Sequence, residues 1–339
     1  MTKIEPKDIR VKERQKLEEI IPLKTPFLMF IDPSNFCPFK CNYCPTSDKN
    51  LLKKVGRKPA IMSFDLFVKV VDDLKEFDNK IKMINMYSDG EPLANPFFSD
   101  MVKYLKDAEV AEKVWTRTNG YYFEPKLNTK LINSGIDLIG ISISHVNSEG
   151  YKKVSGINLD YDKLVDNIRD LYAKRNNCKI YIKIADSGLT KEEIEKFYDD
   201  FTNISDYIGI EYLHDWTGEE GTDFQMGTNP NTFDGLPLVN KVVCPWPFYT
   251  LSVKANGHVT VCNEDWKHNI NVGNANKESI KDIWNGKKLK DLQIKMLMGG
   301  RGEIDVCSNC YYIKCAPDNI DDYRIQLLGK LKDNQCPNF

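Results

Sequence analysis

Three cysteines lie within an eight-residue stretch, Cys37-Pro-Phe-Lys-Cys41-Asn-Tyr-Cys44, directly after an apolar run. Their C-x3-C-x2-C spacing offers three thiolates from one loop. A [4Fe–4S] cluster has four irons, so three protein ligands leave one iron open to a small molecule. A closed zinc site takes four ligands, commonly from CxxC pairs, and no fourth ligand lies nearby before Asp48. A disulfide calls for an oxidising compartment, and the first residues, Met1-Thr-Lys-Ile-Glu-Pro-Lys-Asp8, form no apolar signal region. An open iron–sulfur cluster in a reducing cytoplasm is the expected chemistry.

A second cysteine set follows about 200 residues later. Twelve residues separate Cys244 from Gly257 and four separate Gly257 from Cys262, and Cys307-Ser-Asn-Cys310 closes the set. Thr250 to Val261 reads as a hairpin with Asn256-Gly257 as its turn, which draws Cys244 toward Cys262. The CxxC returns after a helix expected around Ile280–Met296. Four thiolates on one point close all four iron positions, which describes an electron-transfer cluster; a zinc knuckle is the alternative. Of the other cysteines, Cys178 reads as a buried structural thiol. Cys315 and Cys336 are spares that a competing reading places on a cluster, and Cys315 could also serve as a hydrogen-atom donor.

These loops need a scaffold to hold them. The chain has 339 residues, 41% hydrophobic and 28% charged, which suits one large domain and a smaller one. No apolar stretch approaches the roughly 20 residues that span a bilayer. A net charge of −2 gives no sign of a nucleic-acid surface. After a charged segment over residues 1–24, short apolar runs alternate with amphipathic stretches. Strands are expected near Phe27–Asp32, Ile81–Tyr87, Lys113–Thr118, Asp137–Ser144, Lys179–Asp186 and Tyr207–Leu213. Helices are expected near Phe64–Phe77, Pro96–Asp107, Glu124–Ser134, Tyr161–Arg175 and Lys191–Phe201. Six βα repeats imply a parallel sheet curled into a partial (β/α)6 TIM-like barrel over residues 25–235, with an auxiliary domain over 236–339. Such barrels act at the C-terminal ends of their strands, and here each of those ends carries polar groups.

Alternation within the strands adds a cavity. Ile180, Ile182 and Ile184 share one face, which leaves Tyr181, Lys183 and Ala185 on the other; Ser142 and Ser144 likewise oppose Ile139, Ile141 and Ile143. With the isoleucines toward the helices, the interior is hydrophilic and reads as a binding site. Lys183, Asp186, Glu211, His145 and His214 are candidates for a base there, and Lys183 with Glu211 reads equally as an ion pair.

The triplet resembles the signature of the radical S-adenosylmethionine (SAM) family, in which SAM chelates the open iron and is cleaved to a 5'-deoxyadenosyl radical. The resemblance implies that Cys37, Cys41 and Cys44 are cluster ligands and that Tyr43 packs on the adenine. Ser88-Asp89-Gly90-Glu91-Pro92 resembles the family's GGEP segment, which receives the SAM amino group, with Asp89 in place of the first glycine. Thr118-Asn119-Gly120 resembles the turn at the SAM pocket. Ser142-Ile143-Ser144 sits where many members have Ser-Leu-Asp near the SAM ribose.

The second set, with Ile283-Trp284-Asn285-Gly286, resembles the SPASM/Twitch auxiliary domains. It implies an auxiliary [4Fe–4S] cluster on Cys244, Cys262, Cys307 and Cys310. The family offers a dehydrogenase of the aminocyclitol (2-deoxy-scyllo-inosamine) type, in which the auxiliary cluster accepts an electron; an epimerase quenched by a cysteine such as Cys315; and peptide- or protein-modifying enzymes. Peptide modifiers often carry a leader-recognition domain ahead of the barrel, and only about 24 residues precede the first strand here. A small-molecule substrate is therefore expected, a sugar, aminocyclitol or nucleotide-linked sugar, with a flavodoxin or ferredoxin as electron donor. A non-catalytic metal-binding scaffold is the reading from another class, and the SAM-pocket segments argue against it.

Overall fold

The computed structural model describes residues 15–186, 188–213 and 237–333. Six parallel strands form in chain order: β1 Leu28–Ile31, β2 Ile81–Asn85, β3 Ala111–Thr118, β4 Leu138–Ile143, β5 Lys179–Asp186 and β6 Tyr207–Tyr212. Each lies beside its sequence neighbour, as short βα connections require. Three short strands follow: β7 Thr250–Val253, β8 His258–Thr260 and β9 Gly273–Asn274.

β7 pairs in parallel with β1, and β8 and β9 follow antiparallel, so one nine-stranded sheet runs β6-β5-β4-β3-β2-β1-β7-β8-β9. The expected hairpin is therefore not a separate layer: it continues the barrel sheet. Gly257, at φ 86°, supplies the left-handed turn that joins β7 to β8. The expected boundary near residue 235 lies outside the described residues.

The helices in chain order are α1 Leu17–Ile20, α2 Lys49–Lys54, α3 Phe64–Leu74, α4 Phe98–Asp107, α5 Pro125–Asn133, α6 Ser148–Ser155, α7 Tyr161–Lys174 and α8 Lys191–Phe201. After the barrel come α9 Ile280–Asn285, α10 Lys287–Leu297, α11 Asp305–Ser308, α12 Tyr312–Cys315 and α13 Arg324–Asp333. Ser63 caps α3 through Leu66 N–H, and Thr190 with Glu193 closes a capping box on α8. The single helix expected near Ile280–Met296 is two, divided at Gly286, whose extended backbone (φ −72°, ψ 155°) ends one and starts the next. α13 carries no strong apolar period. α2 forms because Asp48 caps it and Leu51 is buried against Trp266.

Packing confirms the two faces of the sheet. Ile139, Ile141, Ile143, Ile180, Ile182 and Ile184 are buried in one core with Phe67 and Val70 of α3, Met101 and Val102 of α4, Ile168 and Leu171 of α7, and Phe197 and Phe201 of α8. Each of these buried aliphatic side chains stabilises the fold by about 1.5–3 kcal/mol relative to exposure. The opposite face carries Trp115 and Arg117 of β3, Ser142 of β4, and Tyr181 and Lys183 of β5. Among the described residues no helix is long and apolar enough to cross a membrane.

Candidate functional site

The cysteine loop leaves β1 and is held from three sides. Ser47 Oγ donates to the Cys41 and Cys44 carbonyls at 2.8 and 2.7 Å. Lys40 N–H donates to Ser155 O, and Asn42 N–H to Val154 O, so the end of α6 supports the loop. Cys41 Sγ lies 3.6 Å from Ser155 Oγ, Cys44 Sγ lies 3.0 Å from Thr46 Oγ1, and Asn119 Nδ2 donates to Cys37 Sγ at 3.5 Å. All three are partly buried, unbridged thiols. Burial pushes the Cys41 thiol up to about 11, and burial likewise raises Cys37 and Cys44. Thiolates here need a cationic partner, and the irons of a cluster held by these three sulfurs would provide it.

The Asp89-Gly90-Glu91 turn braces this loop. A Cβ on Gly90 would meet Ser34 O and Asn35 C at 2.5 Å and Phe36 O at 2.7 Å, all backbone, so only glycine lets the turn lie against the loop. Glu91 N–H donates to Phe36 O. Its carboxylate accepts from Leu93 N–H at 3.1 Å, Thr118 Oγ1–H at 2.6 Å and Asn119 N–H at 2.8 Å. Burial outweighs these bonds and lifts the Glu91 carboxyl to about 7. Glu91 thus ties the turn after β2 to the turn after β3.

Asp89 turns the other way. It lies between Lys254 Nζ at 3.0 Å, Arg57 at 3.2 Å and His268 Nε2 at 2.6 Å. Its side chain is 2% exposed and that of Lys254 is 0%, so each compensates a charge the other could not bury alone. Burial opposes ionisation, yet Lys254, Arg57 and His268 together hold Asp89 well below the usual carboxylate range. Nearby, burial and then the Asp89 charge lift the Asp32 carboxyl to about 7 against Lys254 and Arg57. None of Arg57, Lys254, His268 or Asp32 is marked by a motif. Arg57 comes from the loop after α2 and Lys254 from the hairpin, and only the fold joins them.

The remaining expected residues fall in three places. The Tyr43 side chain lies beside Cys41 and Ser144. Ser144 is buried, its N–H donating to Tyr151 Oη, and Ser142 is half-buried on β4. Lys183 and Glu211 form an ion pair on the inner face, with Arg117 Nη1 3.6 Å from Glu211. Asp186 ends β5 on the isoleucine side of the alternation. His145 leaves the strand ends: its ring lies against Gly150 and its Nε2 is 3.3 Å from Glu193 of α8. His214 lies outside the described residues.

The four cysteines of the second set come together. Cys244, Cys262, Cys307 and Cys310 line one cavity together with Trp246, Glu264, Arg301 and Tyr312. Burial raises all four thiols, Cys244 to about 12 and Cys310 to about 11, and Cys310 adds to the rise at Cys244. Four partly buried thiols facing one space fit a cluster, in which each sulfur would take its own iron. Among the described residues, no three His, Cys, Asp or Glu side chains are placed to grip a single ion. Cys315 is fully buried at the end of α12 near Lys241 and is not in the cavity wall. The cavity wall touches the barrel interior: the Trp246 ring lies 6.4 Å from Phe30 of β1 and 5.2 Å from Tyr312, and Phe30 lies 5.7 Å from Tyr87.

Comparison with known proteins places these features. The Radical SAM superfamily model matches residues 31–201, and the SPASM iron–sulfur cluster-binding domain matches 244–311. A probable GTP 3',8-cyclase from Methanococcus maripaludis is 33% identical over 130 residues, 38% of this chain and 39% of that protein. The S-adenosyl-L-methionine-dependent 2-deoxy-scyllo-inosamine dehydrogenase from Niallia circulans is 27% identical over 104 residues, 30% of this chain and 42% of that one. The chain thus matches about two fifths of the length of these relatives. The crystal structure of BtrN with AdoMet and 2-DOIA shares the fold, with a TM-score of 0.51 at 18% identity, covering 84% of this chain and 92% of that one. With the superfamily model spanning just over half of its length, the chain belongs to the radical SAM superfamily and carries a SPASM domain.

Proposed function

We propose that this radical SAM enzyme dehydrogenates a small polar substrate at a carbinol carbon held inside the barrel. The observation that carries the reading is the contact between the two halves of the site. The four-thiol cavity shares Trp246 with the aromatic residues of the barrel interior, so an electron acceptor adjoins the space where the substrate binds. When bound, a [4Fe–4S] cluster at Cys37, Cys41 and Cys44 supplies the electron that cleaves SAM to the hydrogen-abstracting 5'-deoxyadenosyl radical, and a second at Cys244, Cys262, Cys307 and Cys310 supplies an electron acceptor.

The protein's part is to position and deprotonate. Asn119, Glu91 and Gly90 hold the cysteine loop against the turns after β2 and β3. Tyr43, Ser142 and Ser144 border the place where SAM is expected. Glu211 accepts the carbinol proton: it shares the inner face with Lys183 and Arg117, whereas Asp186 lies on the isoleucine side. Loss of one hydrogen atom, one proton and one electron turns the carbinol into a ketone. The position of Cys315, fully buried and outside the cavity wall, supports dehydrogenation over thiol quenching. The similarity to the inosamine dehydrogenase points the same way, and a flavodoxin or ferredoxin is the electron donor the family leads us to expect.

The test is anaerobic reconstitution followed by reduction with dithionite in the presence of SAM and candidate polyols. Formation of 5'-deoxyadenosine with a product lighter by two hydrogens is expected. A product of unchanged mass but inverted configuration, lost on Cys315→Ala, would replace dehydrogenation with epimerisation.

A further inference from the structure

Each sulfur of the triplet has a polar side chain of its own beside it, and these come from three places in the fold. Asn119 Nδ2, in the turn after β3, donates to Cys37 Sγ at 3.5 Å. Ser155 Oγ, on the last residue of α6, lies 3.6 Å from Cys41 Sγ, and Thr46 Oγ1 lies 3.0 Å from Cys44 Sγ. A free thiol can give its proton to a hydroxyl, but a sulfur that ligates iron has lost that proton and only accepts. With the sulfurs as ligands, all three contacts therefore run one way, toward the sulfur.

The fold holds each donor in its orientation. Asn119 Oδ1 accepts from Tyr121 N–H at 3.0 Å and the Asn119 N–H donates to Glu91 Oε2 at 2.8 Å, so the amide nitrogen is the end left for Cys37. Ser155 is fully buried, and its carbonyl accepts from Lys40 N–H of the cysteine loop at 2.8 Å. Gly156, at φ 63°, ends α6 against that loop: a Cβ there would lie 3.3 Å from Lys40 Cβ. Thr46 sits between Pro45 and Ser47, and the two bonds from Ser47 Oγ to the Cys41 and Cys44 carbonyls hold the turn that presents it.

We infer that Asn119, Ser155 and Thr46 are positioning residues that set the electron affinity of the three-cysteine cluster, one donor to each ligating sulfur. Reduction adds one negative charge that spreads onto the sulfurs, so a hydrogen bond to a sulfur favours the reduced form over the oxidised one. The donors thus raise the reduction potential, and a weaker external reductant suffices to load the cluster. Asn119, expected at the SAM pocket, acts here through Cys37. This role concerns the radical SAM cluster and is independent of the dehydrogenation proposed above.

A redox titration of the reconstituted enzyme, followed by electron paramagnetic resonance, tests it without substrate. The signal of the three-cysteine cluster is the one that changes on addition of SAM, and the auxiliary cluster serves as internal reference. Thr46→Val removes the hydroxyl at nearly the same shape and should shift the reduction equilibrium about tenfold toward the oxidised form, about 59 mV for one electron. Thr46→Ser keeps the hydroxyl and should leave the midpoint where it is. Ser155→Ala is expected to lower the midpoint to a similar degree. Asn119→Asp keeps the acceptor for Tyr121 N–H and replaces the donor facing Cys37 with a carboxylate oxygen, so its midpoint should fall furthest. Unchanged iron content shows that both clusters assemble; should Ser155→Ala lose iron, the Thr46 pair decides. Unchanged midpoints in these variants, or equal shifts in Thr46→Val and Thr46→Ser, overturn the assignment. An absence of ketone in the turnover assay with the shifts present would instead sink the proposed reaction and leave the three donors standing.

Discussion

Single residues in this protein act by what they exclude as much as by what they bond. Gly90 is the clearest case, since any side chain there would enter the backbone of the cysteine loop. Gly90→Ala is expected to cost about 1–3 kcal/mol from overpacking, read as a lower melting temperature with reduced iron retention. Glu211→Gln keeps the shape of the interior and removes the proton acceptor. Product formation should fall about a hundredfold while 5'-deoxyadenosine still forms; equal loss of both would remove Glu211 from the proton-transfer role. Asp32 provides a pH test. Its carboxyl is lifted by burial from 3.8 to about 7, so the folded state binds a proton that the unfolded state has released between those values. The stability it contributes is present at low pH and declines as pH rises to about 7. Asp32→Asn should therefore melt above the parent at pH 8, with the gap closing toward pH 5.

Elements meet at the Asp89 cluster, where the turn after β2, the loop after α2 and the hairpin after β7 each bring one charge. Asp89→Asn would leave Arg57 and Lys254 buried with only Asp32 beside them to supply an anion, at a cost of about 3–5 kcal/mol in chemical denaturation. A loss under about 1 kcal/mol would show the cluster to be a solvated surface network instead. How much of this was legible varied with the physics. The period-two isoleucine rows of β4 and β5 and the capping box of α8 are local signals, so those elements fall where the residues put them. α2 was invisible because its existence depends on Leu51 reaching Trp266, more than 200 positions away. Arg117 carried a signal that was missed: it alternates with Trp115 on a strand end that leads straight into Asn119-Gly120.

At the scale of the whole molecule, β7 closes the edge of β1, so barrel and auxiliary region share one sheet. Removing residues 237–333 would expose the β1 edge and strip Lys254 from Asp89; the remaining barrel is expected to be insoluble on expression, and a soluble fragment with a cooperative melt would refute the shared-sheet account. Cys244→Ala should lower iron from about eight to about four per chain after reconstitution, with SAM cleavage retained and ketone formation lost. The sequence by itself determined the βα order, the three-thiolate loop, the four distant cysteines and the polar inner face, because each follows from residue type at short spacing or from strand alternation. Only the tertiary structure decided that the hairpin joins the barrel sheet, that Asp89 answers Lys254 and Arg57, and that Arg117 gathers with Lys183 and Glu211. Those are pairings of charge and of strand edge between segments far apart in the chain, and the energy that selects them appears only when the sheet closes and water is removed.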